Sequence, residues 1–509
     1  MNKTGFFRIL FFSASLILGQ TLHAQWTTAA LSQGRYGIAA AVTGNKAIFA
    51  GGEASAYLMS NHADIYDANT DTWSIKLYTE GRKSIAPVTL DDRVLFAGGI
   101  GRNVNGFFYS KKVDIYNNTT GVWSSKTLSQ ARAVGGVGAA NGKAVFAGGV
   151  KATNPTTYQP VTTNRVDIYD YASNAFTSTS LSTSRSGMAV ASVGNKIIFA
   201  GGIKSYKNNG YAVVSDVVDI YDAVANTWST ATLSTARTGI AAVVIGTKAY
   251  FAGGYKELPT PVFYNTVDVF DAATNTWSTT TLSQARAYAT AIVAGDLAFF
   301  AGGLMANAYS DRVDMFDSAN DTWSTTSISF PRSGLVPVVT NHRVMFAGGG
   351  SLGYTTPIEV YDLDNGNWSV EYLSQARVTF AGASVNNKAI FAGGRASSGY
   401  PFYGSAVVDI YQDLNSQPLI GTDPSAAPDF QDFTVYPNPA KETAYLDLQT
   451  VSGEYQLRLV DISGKIMREW QTSGGQIVEM PLGDLPQGMC FVQVIAEGKL
   501  RWTGRLLIL

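Results

Sequence analysis

Phe96-Ala97-Gly98-Gly99, a variable loop over residues 100–112, Val113-Asp114-Ile115-Tyr116, then Trp123 and Leu128-Ser129-Gln130-Ala131-Arg132: this stretch decides the fold, because the chain spells variants of it eight times. The Phe-Ala-Gly-Gly copies begin at Phe49, Phe96, Phe146, Phe199, Phe251, Phe300, Phe346 and Phe391, at intervals of 45 to 53 residues. A period of about 50 residues signals a ring or solenoid of small sheets. Whatever recurs in every unit is needed by every unit, so most of the recurring residues read as architecture.

Within one unit, residues 84–89 read as a short strand a. Residues 93–97 read as strand b, ended by Gly98-Gly99, and residues 113–116 as strand c. Strand d begins near Trp123. Turn-forming residues separate each pair, which predicts an antiparallel four-stranded meander. One such sheet cannot bury both faces alone, whereas radial stacking buries each against its neighbours. An aromatic falls seven residues after the strand c aromatic, as in Tyr66 to Trp73, Tyr221 to Trp228 and Phe316 to Trp323, with Phe176 substituting once. These rings read as filling between sheets. The last unit has Val408-Asp409-Ile410-Tyr411 but carries Pro418 where its Trp is due, while the stretch from Gln25 to Ser32 is a strand d with no preceding a, b or c. The two fragments complement one another, so the N-terminal strand is expected to complete the last sheet, close the ring and remove an exposed edge.

The double glycine, the acidic strand with Tyr and the spaced Trp resemble the Kelch repeat, over roughly residues 25 to 416. The expected fold is all-β: an eight-bladed Kelch-type β-propeller followed by a small Ig-like β-sandwich. Some Kelch propellers are copper-radical galactose oxidases, which need histidine ligands and a Cys–Tyr crosslink. This chain has three histidines (His23, His62 and His342) and one cysteine, Cys490, so that activity does not carry over. Neither a metal site nor a Ser-His-Asp arrangement is expected, and no cofactor.

The ends carry addresses. Lys3 and Arg8, an apolar run over residues 9–18 and Leu22-His23-Ala24 read as a secretory signal peptide over residues 1–24. No stretch is long and apolar enough for a membrane span. Residues 417–432 read as a linker. Strand-like stretches at 433–440, 444–448, 455–461, 477–482, 489–495 and 501–508 predict a β-sandwich over residues 433–509. Val435-Tyr436-Pro437-Asn438-Pro439-Ala440, the Leu459-Val460-Asp461-Ile462-Ser463-Gly464-Lys465 turn and the Leu485-Pro486 hairpin resemble the C-terminal sorting domain of the type IX, or Por, secretion system. That resemblance implies contact with the type IX machinery through residues 433–509. It also implies secretion from, or attachment to the outer surface of, a Gram-negative bacterium.

A net charge of -1, with 15% charged residues, argues against a nucleic-acid partner. In an up-down meander the b–c and d–a connections share one face. The b–c loops vary in length and are rich in aromatics, and variable loops on a repeated scaffold are where recognition sits. Tyrosines there give flat apolar area with a hydroxyl handle. The expected ligand-binding residues are Tyr57, Phe107, Phe108, Tyr109, Tyr158, Tyr211, Tyr255, Tyr264, Tyr309, Tyr354, Tyr400 and Tyr403. The same face carries Arg35, Arg82, Arg132, Arg185, Arg237, Arg286, Arg332 and Arg377, and the acidic residues Asp64, Asp114, Asp167, Asp219, Asp268, Asp314, Glu359 and Asp409 that open each strand c. Equal counts at one end favour structural pairs over an anion-gripping ring. The expected function is non-enzymatic: recognition of an extracellular glycan or protein. A carbohydrate-active epimerase or lyase using Glu53, Asp216, Glu257 or Asp311 with tyrosines is the enzyme alternative, and a structural surface protein is the third.

Overall fold

The computed structural model describes residues 25–55, 57–207, 209–257, 260–350, 353–396, 402–413, 435–436, 440–448, 453–461, 466–496 and 499–508. The leader, the linker, Pro418, Tyr400 and residues 462–465 of the sorting-domain turn lie outside the described residues. The chain divides into two compact units, Met1–Ser425 and Ala426–Leu509. No helix among the described residues is long and apolar enough to cross a membrane.

Among the described residues, the first unit contains eight four-stranded antiparallel sheets, beside smaller sheets of two or three strands. In the second repeat the strands are Ala86–Leu90, Arg93–Ala97, Lys112–Asn117 and Trp123–Thr127, paired in that order. Strand b shows why the sequence reads as a continuous apolar run there: Val94, Leu95, Phe96 and Ala97 are all fully buried. It sits inside its own sheet and is covered on both faces by neighbouring sheets, so the usual inside–outside alternation is lost. Strand d is the outer edge, and its Ser/Thr-rich sequence leaves it largely exposed. A polar, charged or short edge limits pairing with other chains.

The inner strands touch in a closed cycle: Ala39–Thr43, Ala86–Leu90, Gly136–Ala140, Ala189–Val193, Ala241–Ile245, Thr290–Ala294, Val336–Val339, Ala381–Val385 and back to Ala39–Thr43. These strands carry no charged residue. The N-terminal strand Gln25–Ala30 pairs antiparallel with Val407–Gln412, placing Trp26 opposite Tyr411 and Thr28 opposite Asp409. The last sheet is thus completed by the chain's N-terminal strand.

Between sheets the repeated aromatics interlock. Trp123 lies 6.1 Å from Phe96, 5.1 Å from Tyr116 and 5.4 Å from Tyr78. Phe96 and Tyr116 share a cluster with Ile48, Ala50, Ala63 and Ile65 of the preceding sheet. The double glycine is a close-approach device. Gly98 and Gly99 have φ of +64° and +107°, and a Cβ on Gly98 would stand 2.4 Å from the Arg132 carbonyl. That carbonyl accepts the Gly99 N–H at 3.0 Å. Only glycine allows this conformation and this approach together.

In the second unit, Val435–Tyr436, Thr443–Asp447 and Ile477–Pro481 form one sheet. Ile466–Ser473, Glu454–Asp461, Gly488–Ala496 and Lys499–Ile508 form another. Leu446 and Met480 of the first share a core with Leu457, Leu459, Val492 and Leu506 of the second. Cys490 is buried in that core, which pushes its thiol pKa up to about 11. The strand Ile466–Ser473 was absent from the sequence expectation. It is an edge strand pairing only with Glu454–Asp461, and its charged Arg468 and Glu469 mask the period-two pattern.

Candidate functional site

The repeated charges are consumed by the scaffold. Each of the eight arginines is fully buried and pairs with the strand c carboxylate of the repeat that follows it in the chain: Arg35–Asp64, Arg82–Asp114, Arg132–Asp167, Arg185–Asp219, Arg237–Asp268, Arg286–Asp314, Arg332–Glu359 and Arg377–Asp409. The same guanidinium reaches back to the end of strand b. Arg132 donates to the carbonyls of Phe146 and Gly148 at 2.9 and 3.0 Å, and Arg237 to those of Phe251 and Gly253 at 3.1 and 2.7 Å. The carboxylate's other oxygen accepts the backbone N–H of the repeated serine in several units, as Asp64 does from Ser32 at 2.8 Å and Asp167 from Ser129 at 2.8 Å. Burial lowers the pKa of Arg35, Arg132, Arg185, Arg286, Arg332 and Arg377, and the paired carboxylate pulls it back up. The Phe-Ala-Gly-Gly and Leu-Ser-x-x-Arg motifs are therefore two halves of one hydrogen-bonded lock, and these arginines do not line the channel as an anion ring.

The b–c connections of the first five repeats are β-hairpins. Their strands are Glu53–Ser55 with Leu58–Met59, Ile100–Asn103 with Gly106–Tyr109, Val150–Thr153 with Pro160–Thr162, Ile203–Tyr206 with Ala212–Val214, and Tyr255–Lys256 with Val262–Phe263. Each also bridges to a d–a connection on the same face, as Tyr36 does to Glu53, Ala133 to Val150 and Thr238 to Tyr255. Successive hairpins touch, so they form a crown on that face.

The structure separates the expected ligand residues into local groups. Tyr57, at φ +72° and 46% exposed, faces Phe107 at 6.1 Å, and the Arg102 guanidinium lies 4.4 Å over its ring. Beside them Glu53, only 5% exposed, accepts from Lys83 at 2.6 Å and from the Tyr57 N–H at 3.0 Å. Burial opposes its ionisation, but Lys83 and that N–H win and hold its pKa below the ordinary value. Burial and then Glu53 raise the Tyr36 phenol to about 12. Phe108 folds over Gly101, while the Tyr109 hydroxyl reaches Thr153 at 3.4 Å. Tyr158 stands 81% exposed on its hairpin turn, and Tyr211 is half-buried. Tyr264 and Tyr309 are half-buried beside the scaffold, with the Tyr264 backbone tied to Gly254 and Arg286. Tyr354 lies under the Arg395 guanidinium at 5.5 Å, and Tyr403 is exposed and bridged to Ser55.

Tyr255 belongs to a denser group that the sequence reading did not assemble. Its ring stacks on Phe263 at 5.6 Å and meets Tyr288 at 5.7 Å, and the Tyr288 hydroxyl donates to the Tyr255 hydroxyl at 3.4 Å. Burial first, then Tyr255 and Glu257, raise the Tyr206 phenol; burial and the Tyr255 hydrogen bond raise that of Tyr288. Glu257 accepts the Ala212 N–H at 3.1 Å, tying the fifth hairpin to the fourth. Tyr206 also lines a cleft of about 280 Å³ with Asn154, Thr157, Gln159, Ser184 and Ser205.

Tyr288 left a signal in the sequence. Two residues after the buried Arg, other repeats place Gly37, Gly187, Gly239 and Gly334, all at positive φ. Tyr288 holds the same conformation at φ +53°, as do the shorter Ser84 and Thr379. The left-handed region costs a non-glycine residue about 1–2 kcal/mol. A large, 49% exposed ring held there marks a position worth that strain.

The four carboxylates of the enzyme alternative are distributed over separate repeats, and none hydrogen-bonds another among the described residues. No group of three or more His, Cys, Asp and Glu side chains comes together among the described residues. On the opposite face, a–b and c–d turns line a cleft of about 430 Å³ with Asn195, Lys196, Asp222 and Thr247 and no aromatic ring.

Residues 187–394 match the model described as the KLHDC2/KLHL20/DRC7 Kelch-repeats domain, and residues 434–509 match the secretion system C-terminal sorting domain. The latter indicates export by type IX secretion to the cell surface or extracellular space. Among solved structures, the "Structure of YjhT" is similar with a TM-score of 0.41 and 18% identity, over 58% of this chain and 99% of that one. No curated protein matches the chain.

Proposed function

From a chain that carries Kelch repeats and a secretion-system C-terminal sorting domain, we propose an exported recognition protein that binds an extracellular glycan or protein through its b–c face. In this reading residues 1–24 are a leader, 25–416 an eight-bladed Kelch-type propeller, 417–432 a linker and 433–509 an Ig-like sorting domain. Delivery is to the outer surface of a Gram-negative cell or beyond it.

One observation carries the recognition reading. Among the described residues the strongly exposed aromatics are Tyr57, Phe107, Tyr158, Tyr288, Tyr372 and Tyr403. All but Tyr372, which lies on the outer strand Trp368–Tyr372, sit on b–c or d–a connections. Exposed rings gathered at one end of a scaffold whose repeated charges are internally paired favour a binding face.

The test is a glycan and protein array with the full-length secreted protein, monitored for both retention and product. Saturable binding without turnover is expected, weakened several-fold by each of Tyr57→Ala, Phe107→Ala, Tyr158→Ala and Tyr403→Ala that touches the ligand, since an aromatic contact contributes about 0.5–1.5 kcal/mol. Turnover abolished by Glu257→Gln would instead establish an enzyme. Export is tested separately with a chain ending at Asp432. It is expected to stay in the periplasm, and normal surface delivery would overturn the sorting role assigned to residues 433–509.

A further inference from the structure

Resting on the reading of the b–c face as a recognition surface, we propose that Tyr206, Tyr255, Tyr288 and Glu257 form a subsite for a neutral saccharide chain, which continues into the cleft lined by Asn154 and Gln159. Three repeats build it. Tyr206 comes from the fourth hairpin, Tyr255 and Glu257 from the fifth, and Tyr288 from the connection leading into the sixth inner strand.

The aromatic part is a shelf. Gly239 makes room for it, since a Cβ there would stand 3.1 Å from Tyr288 Cζ and 3.3 Å from Tyr255 Cδ1. The Tyr288 N–H is fixed to the Gly239 carbonyl at 2.8 Å, which holds the strained backbone in place. Rings held this way expose flat faces suited to the C–H faces of a pyranose.

The polar part matches hydroxyl groups. Tyr255 accepts from Tyr288, so its own proton is left to donate. Glu257 uses Oε2 on the Ala212 N–H, and its Oε1 has no protein donor among the described residues. An oxygen so placed accepts from a sugar hydroxyl. In the adjoining cleft the amides of Asn154 and Gln159 and the hydroxyls of Thr157, Ser184 and Ser205 offer both donors and acceptors. Of the charged side chains, Lys207 lies at the cleft and Glu257 at the shelf, with Lys204 and Lys256 on the hairpin strands that carry Tyr206 and Tyr255. A mixed hydroxyl and amide lining beside an aromatic shelf fits a neutral polyol better than a charged peptide.

The decisive variant is Tyr288→Gly, which installs the residue that four other repeats use and relieves the backbone strain. The full-length protein is titrated calorimetrically with cellohexaose, xylohexaose, mannohexaose and maltohexaose, with oligogalacturonate as the charged comparison. At least one neutral hexasaccharide is expected to bind. Tyr288→Gly should weaken it about tenfold without lowering the unfolding midpoint, Glu257→Gln should weaken it less, and Tyr372→Ala, on an outer strand away from the b–c face, should leave it unchanged. Three results overturn the subsite: binding of oligogalacturonate or a protein only, neutral binding untouched by Tyr288→Gly, and neutral binding lost instead with Tyr57→Ala or Tyr403→Ala. Each leaves the recognition face standing. Silence toward every glycan and protein on the array defeats the recognition reading as well.

Discussion

A chain lacking residues 25–34 is expected to lose its cooperative fold and to self-associate. The deletion removes the strand Gln25–Ala30, which pairs along its whole length with Val407–Gln412 and covers the edge of the last sheet. It also removes Trp26, whose indole lies 5.2 Å from Tyr411 and 6.2 Å from Phe391 and donates its N–H to Glu371. Leu31, buried between the last and first sheets against Ala47, Phe49 and Ala383, goes with them. Truncating a well-packed tryptophan alone costs about 3–5 kcal/mol, and Trp26 is half-buried, so Trp26→Ala should cost about 2–3 kcal/mol. The full deletion adds a buried leucine, a strand's worth of hydrogen bonds and a newly exposed edge. Together these approach the net stability of about 5–15 kcal/mol typical of a folded protein. Denaturant unfolding and size-exclusion chromatography decide the matter. An unchanged midpoint with a monomeric elution profile would show that the ring does not depend on this closure.

Replacing one ring arginine should be nearly as damaging. Arg237 is fully buried and donates to the carbonyls of Thr235, Phe251 and Gly253 and to Asp268 at 2.6 Å. Arg237→Met leaves the Asp268 carboxylate buried without its cation and three carbonyls without their donor. Breaking a buried pair from one side costs about 3–5 kcal/mol, whereas replacing both partners with apolar groups is often near neutral. The double variant Arg237→Met with Asp268→Leu is therefore expected to recover part of the loss, as measured by a double-mutant cycle in denaturant. It should not recover all of it, because the carbonyls and the Ser234 N–H that Asp268 accepts at 3.0 Å remain unpaired. Arg237→Lys should fall between, since a single ammonium cannot reproduce the planar fork that reaches four acceptors at once. A single variant as stable as the parent would return these arginines to the list of candidate ligand contacts.

The repeated residues explain why so much of the fold was legible in one dimension. The Phe-Ala-Gly-Gly period, the order of four strands, the orphan strand d at Gln25 and the pairing of eight arginines with eight carboxylates all depend on local pattern and on counting. A repeat that makes the same contacts with its neighbour every time writes those contacts into its own sequence, as the Arg132–Asp167 lock shows. The edge strand Ile466–Ser473 was missed for the opposite reason: it has one neighbour in its sheet, and its solvent-facing charges interrupt the period.

The sequence by itself determined the repeat, the strand order, the closure by the N-terminal strand and the face on which variable aromatics accumulate. Only the tertiary structure decided which aromatics meet. Tyr206, Tyr255 and Tyr288 lie in three different repeats, and although Tyr288 stands where four other repeats place glycine, nothing in the sequence says which rings it meets. Tyr255 and Tyr288 meet through a left-handed backbone at Tyr288 and the absence of a side chain at Gly239, and Glu257 ties their hairpin to the one that carries Tyr206. The backbone bond between Tyr288 and Gly239 joins equivalent positions and recurs as Gly37 N–H to the Thr379 carbonyl, whereas the ring contacts and the Glu257 bond are particular to these repeats. A periodic sequence encodes its periodic contacts redundantly and its single ones not at all, because a unique contact depends on the curvature and spacing of the assembled ring.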